Sequence, residues 1–333
     1  MGKKIFFVIL LTVIVFFVLI GLKNIIQNSP TNYDNSGDYD FSFSHDGITR
    51  TYKVHIPLTY NNNSPSSLVV VLHGGGGNSQ DIKDVSLMDS TSDKYGFIAA
   101  YPQGSGTKYL GRVWGVWNSG CCSPDYIDDS IDDVGFISKM IDEISENYNV
   151  DSDTVYATGH SMGAQMSYGL ACELSDKIAA IAPVGGIPPE GKFLDCETNV
   201  SIMHIHGTED ACVLYGGGIC GGCFDELTGK DPSEHQWPCD SVNDFIESVA
   251  KKRGIVDSVT SFQELGYTCL NYGPDQEIVL CTVESMGHSW PGGTLGSSCE
   301  NPDSNKCELI KSVLGEINTD VSANEIMWKF FEN

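Results

Sequence analysis

Gly159-His160-Ser161-Met162-Gly163 is a G-x-S-x-G pentapeptide, preceded by the β-type run Thr154-Val155-Tyr156-Ala157-Thr158. Ala164, Met166, Ser167, Leu170, Ala171 and Leu174 follow at helical spacing. A serine at the corner of a strand–turn–helix unit is lifted clear of the sheet. Residues two before and two after it crowd the turn, so glycine fits there and larger residues do not. The helix behind Ser161 directs free N–H groups and its positive dipole end at the hydroxyl, where negative charge would develop. The chemistry implied is acyl transfer through a serine nucleophile. An ordinary glycine-rich βα turn is the plain alternative in a chain with 36 glycines among 333 residues.

A serine hydroxyl needs a base. In hydrolases built on this elbow, the chain order is serine, acid, histidine. Of the eight histidines, His45, His55 and His73 precede Ser161, and His160 lies inside the elbow. His204 and His206 alternate on a strand ahead of any plausible acid, which leaves His235 and His288. His288 follows a β-type run, Ile278–Val283, in a glycine-rich loop able to carry an imidazole over the sheet edge. His235 has a proline on either side and no strand to position it, so His288 is the expected base. The acid is expected after the strand 200–206, at Glu209 or Asp210, where it would hold the imidazole tautomer. Asp195 and Asp225 read as solvated loop charges. An oxyanion needs two backbone donors. Met162 N–H is one, and Gly74 or Gly75, in His73-Gly74-Gly75-Gly76-Gly77, is the other. That loop lacks the Gly-Lys-Ser/Thr ending of a phosphate-binding loop.

The elements that must carry these residues alternate. Strands are expected at 68–72, 97–101, 154–158, 178–183, 200–206 and 278–283. Helices are expected after Asp132-Asp133, which would supply the cap, after Ser161, near 242–249 and at about 320–331. This pattern predicts an α/β fold with a mostly parallel sheet and helices on both faces.

Residues 5–22 are apolar except Thr12 and Gly21, and Lys3-Lys4 precede them. No good cleavage site follows, so a membrane anchor is favoured over a cleaved signal, with residues 1–4 cytoplasmic and the body outside. Residues 23–39 read as a polar linker and 40–333 as a single catalytic domain. Twelve cysteines beyond the apolar run point to disulfides in an oxidising compartment. Zinc at Cys220-Gly-Gly-Cys223 is the rival reading, and it lacks a second matching pair. A net charge of −25 argues against nucleic acid as a partner.

Leu72-His73-Gly74-Gly75-Gly76, Tyr101-Pro102-Gln103-Gly104, Trp117-Asn118, Asp132-Asp133-Val134-Gly135-Phe136, the serine elbow, His206-Gly207-Thr208-Glu209-Asp210 and Gly287-His288-Ser289-Trp290-Pro291-Gly292-Gly293 occur in that order. Together they resemble the polyhydroxybutyrate depolymerase and feruloyl or acetylxylan esterase group of carbohydrate-esterase-like α/β-hydrolases. The resemblance implies the α/β-hydrolase fold and an acid at Asp210, the end of the His-Gly-Thr-x-Asp motif. It departs at Gly75, at His160 and Met162 in the elbow, and in the Cys- and Gly-rich insert 211–240.

The expected activity is extracytoplasmic carboxylic ester hydrolysis by Ser161, His288 and Asp210, with no metal or organic cofactor. Trp290, Trp117 and Trp114 are candidates for an aromatic or sugar-binding cleft. The substrate would be a feruloyl or acetyl ester of plant polysaccharide, or a polyhydroxyalkanoate. A serine peptidase on the same fold and a non-catalytic binding module are the alternatives.

Overall fold

A computed structural model describes residues 36–333 except 110, 111, 125, 126, 129, 226–228, 230, 256–258, 274–276, 300 and 302. The apolar run 5–22 and most of the 23–39 linker lie outside the described residues. Among the described residues, no helix is long and apolar enough to cross a membrane.

The described residues open with a hairpin, β1 (Gly37–His45) and β2 (Ile48–Ile56), so the strand begins within the stretch read as linker. There follow β3 (Ser66–Leu72), helices α1 (Ser79–Ser86) and α2 (Met88–Tyr95), and β4 (Ile98–Pro102). A small hairpin, β5 (Ser105–Tyr109) and β6 (Arg112–Val116), precedes α3 (Asp133–Asn147). Next come β7 (Val150–His160), α4 (Met162–Glu173), β8 (Ala180–Val184) and β9 (Ser201–Gly207). The Cys-rich insert holds a second small ribbon, β10 (Gly218–Gly221) and β11 (Gln236–Cys239). After it lie α5 (Val242–Lys252), β12 (Val259–Glu264), β13 (Tyr267–Tyr272), β14 (Ile278–Val283), α6 (Asn305–Leu314) and α7 (Ala323–Phe331).

Ten strands form one sheet in the order β1-β2-β4-β3-β7-β8-β9-β14-β13-β12. The pairs from β4 to β14 are parallel, and the pairs outside them are antiparallel. The central strands are continuous apolar runs because both faces are covered. Alternation sends Val69, Val71, Tyr101, Ala182 and Met203 into a core closed by Ile82 of α1, Met88 of α2 and Trp328 of α7. His204 and its β9 neighbours of the same parity turn to the opposite face, where Tyr168 of α4 bonds His204. Helices thus cover both faces, as the alternation of elements predicts.

Asp132 caps α3 through Gly135 N–H at 2.7 Å. Asp133, fully buried, does something else. It pairs with Arg50 of β2 and accepts Asn118 N–H at 2.8 Å, tying β2 to the segment after β6. The Arg50 guanidinium also lies 3.9 Å above the Phe136 ring.

Ten cysteines form five disulfides: 172–196, 212–223, 220–239, 269–281 and 299–307. Cys220 and Cys223 bond to different partners, which removes the zinc reading of their spacing. Cys121 and Cys122 are free thiols.

Asp133→Ala would strand the Arg50 charge in a dry site and orphan the Asn118 amide. Breaking a buried pair from one side costs about 3–5 kcal/mol. Urea unfolding of this variant should show a loss of that size, and a loss within experimental error would contradict it.

Candidate active site

The parallel register brings the C-terminal ends of the central strands level. Leu72 pairs with Gly159, His160 with Val184, and Gly207 with Val283. Gly74, Gly75, Ser161, Met162, Asp210 and His288 each follow one of these ends.

Ser161 sits between β7 and α4 with φ 57° and ψ −117°, a backbone conformation that side chains other than glycine's rarely adopt. Its N–H is held by Val184 O at 2.9 Å. The crowding expected of the elbow is measurable. A Cβ on Gly159 would lie 2.5 Å from Gly163 O, and one on Gly163 would lie 2.3 Å from Leu72 O.

His288 and Asp210 meet: His288 Nδ1 donates to Asp210 Oδ2 at 2.7 Å. The pair is buried. The other oxygen, Oδ1, accepts the backbone N–H groups of Cys212 and Val213, each at 2.8 Å. Burial alone would raise the Asp210 carboxyl, but the His288 charge and the donors from His206 and His288 outweigh it and hold it well below the usual carboxylate range. Glu209, the other carboxylate considered, is exposed. The rival histidine, His235, bonds Asp225 at 2.9 Å within the insert.

The glycine-rich loop after β3 lies against the elbow. A Cβ on Gly74 would be 3.5 Å from Ser161 Cβ, and one on Gly75 would be 3.2 Å from Met162 Cε. Gly76 N–H bonds Gly115 O, and Gly77 N–H bonds Gly74 O, which fixes the turn. His73 braces it. Its Nδ1–H donates to Gly74 O at 2.8 Å, and its Nε2 accepts Gly104 N–H at 3.0 Å. Desolvation pushes this imidazole down to about 4, with the Gly74 carbonyl opposing, so the ring stays neutral.

Ser161, His288, Gly74 and Gly75 line one cavity of about 160 Å3. Its apolar wall includes Ile82, Val85, Leu295, Leu314, Trp290 and Phe224. A second cavity, of about 190 Å3, lies near the N-terminal ends of β8 and β9 and contains none of the candidate residues.

The three tryptophans separate. Trp290 lines the cavity, with its indole N–H on Asn324 Oδ1 at 2.9 Å. Trp114 is 45% exposed, and its ring covers Gly76. Trp117 is a correction to the expected cleft. It is fully buried, as Trp290 is, but it does not line the cavity; its indole N–H holds His73 O at 2.8 Å, so it supports the glycine-rich loop from beneath.

Sequence reasoning missed three residues. Phe224 reaches the cavity from the insert, whose fold no spacing rule foretold. His160, set aside as part of the elbow, lines the cavity with its ring centroid 4.6 Å from that of His288. Burial, then the nearby His288 charge, pushes it down to about 3. His206 places Nε2 3.3 Å from Asp210 Oδ2, and its position in His-Gly-Thr-x-Asp was the available signal.

Residues 51–210 match the family described as Esterase PHB depolymerase. Over this stretch, just under half of the chain, the sequence is similar to that family. A bifunctional acetylxylan esterase/xylanase, XynS20E, from Neocallimastix patriciarum is 30% identical over 127 residues, covering 38% of this chain and 16% of that protein. Feruloyl esterase B from Piromyces equi is 30% identical over 209 residues, 60% of this chain and 35% of that protein. A putative esterase, NocK, from Nocardia uniformis subsp. tsuyamanensis is 28% identical over 211 residues, 59% of this chain and 60% of that protein. The chain therefore spans less than two thirds of the length of each. An acetyl xylan esterase structure from Aspergillus awamori superimposes with a TM-score of 0.53 at 15% identity, covering 76% of this chain and 94% of that one. That likeness is one of fold, and the fold is the α/β-hydrolase fold.

Three buried rings, His73, His160 and His204, have folded pKa values below their ordinary 6.5. As pH falls from about 6.5 toward 4, these rings protonate in the unfolded chain before they do in the fold, so their contribution to stability falls with pH through that window. Asp210, depressed in the folded state, removes further stability below about pH 4. Relief of the −25 charge comes mostly from carboxylates titrating below about pH 5. Urea unfolding at pH 7 and 5 should show a marked loss at pH 5. Equal or greater stability at pH 5 would contradict the neutral assignment of these rings.

Proposed function

We propose that this chain is a serine carboxylic ester hydrolase. The observation that carries the reading is the 2.7 Å bond from His288 Nδ1 to Asp210 Oδ2, with His288 lining the same cavity as the strained Ser161. With Nδ1–H committed to Asp210, the other ring nitrogen carries the lone pair a general base needs.

In this reading His288 Nε2 takes the proton of Ser161 as Oγ attacks the ester carbonyl. Asp210 holds the tautomer and stabilises the imidazolium. The tetrahedral oxyanion is held by Met162 N–H at the start of α4 and by N–H of Gly74 or Gly75. His288 returns its proton to the departing alcohol, leaving an acyl-serine. Water, deprotonated by His288, then releases the acid and restores Ser161. Every proton and electron pair stays within these groups and the substrate, so the scheme as written uses no cofactor.

The apolar wall, with Trp290 and Phe224 in it, supports an aromatic or short apolar acyl group. The named activities of the relatives support feruloyl or acetyl esters of polysaccharide, and the family description supports a polyester as the alternative. Five disulfides support an extracytoplasmic setting. Residues 5–22 serve in this reading as anchor or export segment.

Ser161→Ala should fold normally and lower kcat by about 10^4–10^6 on any ester that the wild type turns over. Release of ferulate, acetate and 3-hydroxybutyrate from matched esters, with this variant as control, would select the acyl group. Near-normal hydrolysis by Ser161→Ala would remove Ser161 from the mechanism. Silence of the wild type on every ester would favour a binding module, and turnover of peptides alone a peptidase.

Activity needs a neutral His288. The scheme therefore predicts that kcat/KM falls about tenfold per pH unit on the acid side. A rate unchanged down to about pH 4 would exclude an imidazole base.

A further inference from the structure

His204 and His206 on β9 are fully buried, and the scheme above gives neither a chemical step. They lie on one line of hydrogen bonds. The Tyr168 hydroxyl is 2.9 Å from His204 Nδ1, and His204 Nε2 is 2.9 Å from His206 Nδ1. His206 Nε2 is 2.8 Å from Val213 O and 3.3 Å from Asp210 Oδ2.

The end of the line dictates its protons. A carbonyl and a carboxylate only accept, so His206 Nε2 must carry hydrogen. A neutral ring then has its lone pair on Nδ1, and His204 must present Nε2–H to it. That leaves a lone pair on His204 Nδ1, so the Tyr168 hydroxyl, which can act either way, donates. The opposite order would set a lone pair of His206 against the Asp210 charge. Desolvation keeps His204 well below its ordinary value and drives Tyr168 well above its own.

The surroundings seal the line. The His206 ring meets His204 and, edge-on at 5.9 Å, Tyr215. Asp210 also faces His288, against which His160 of β7 packs. Phe193 and Phe245 of α5 enclose the Tyr168 ring. The far end is therefore in the core, so the line orients protons without conducting them.

We propose that Tyr168, His204 and His206 form a tautomer lock that presents a fixed N–H to Asp210, making His206 a positioning residue for the catalytic acid. This rests on the ester hydrolase reading of the site. The added donor spreads the Asp210 charge and keeps Oδ2 aligned on His288. Without it, the charge concentrates on the His288 bond and favours the imidazolium.

Long-range 1H–15N NMR of the full chain labelled at histidine reads the tautomers without any substrate. At about pH 8, His204 and His206 should both carry hydrogen on Nε2 and none on Nδ1. Hydrogen on Nδ1 of either ring, or a charged ring, would overturn the lock. Kinetics supply the second arm. His206→Leu should lower kcat about tenfold with KM within about twofold, and should move the acid limb of kcat/KM to higher pH. His206→Gln, which keeps a donor, should leave that limb near its wild-type position. Equal losses in both variants with an unmoved limb would make His206 a packing residue and end the proposal. A wild type inert on every ester would sink the hydrolase reading, and the NMR result would still decide the lock.

Discussion

An ionised carboxylate buried at the end of a sheet is costly unless donors surround it, and the Asp210 site is arranged around that requirement. Its four contacts come from three places. The chain just beyond it supplies the N–H groups of Cys212 and Val213, β9 supplies His206, and the loop after β14 supplies His288. Each of these segments must then be held in turn. The loop bearing His288 is fixed by Glu209 N–H on Met286 O and by the close approach of Gly207 to Met286, where a Cβ would lie 2.2 Å from the carbonyl oxygen. Placing one charge thus constrains two strand ends and the turns between them.

The serine side meets a different constraint, that of space. Leu72, Gly159 and Gly163 converge so closely that two missing side chains are a condition of the turn. The glycine-rich loop closes over this point, and its support comes from residues whose motifs gave no hint of it. Gly104, Gly115 and Trp117 all bond the segment His73–Gly77. Tyr101-Pro102-Gln103-Gly104 and Trp117-Asn118 are therefore better understood as the frame of the candidate oxyanion loop than as contacts for substrate.

How much of this was legible follows from the range of the forces involved. The elbow and the strand 278–283 were readable because local sterics and apolar runs act over a few residues, while chain order pointed to His288 and left Glu209 and Asp210 open until the family resemblance favoured Asp210. The antiparallel edges were not. Gly37–His45 alternates half-buried and exposed residues with polar ones among them, as an edge strand does, and resembles a linker when read alone. Trp117 and Trp290 are both fully buried, but one ends under a loop and the other on a cavity wall, since tertiary packing decides which neighbours a side chain meets. Asp132 and Asp133 were equivalent caps by type. Arg50, 83 residues away, separates them by claiming Asp133. Disulfide partners were beyond reach for the same reason.

The insert joins chemistry to recognition through covalent bonds. Cys212 donates its N–H to Asp210 and is bonded through sulfur to Cys223, whose neighbour Phe224 lines the cavity. The 220–239 disulfide crosses the first bridge and staples the β10–β11 ribbon. A loop of this length would otherwise be the most mobile part of the site. Cross-linked twice, it ties one aromatic wall to the same short segment that supplies donors to the acid. Recognition is variable in such enzymes because loops can change while the strand ends do not. Here that freedom is narrowed, because a change that displaced Cys212 would disturb the Asp210 carboxylate as well as Phe224.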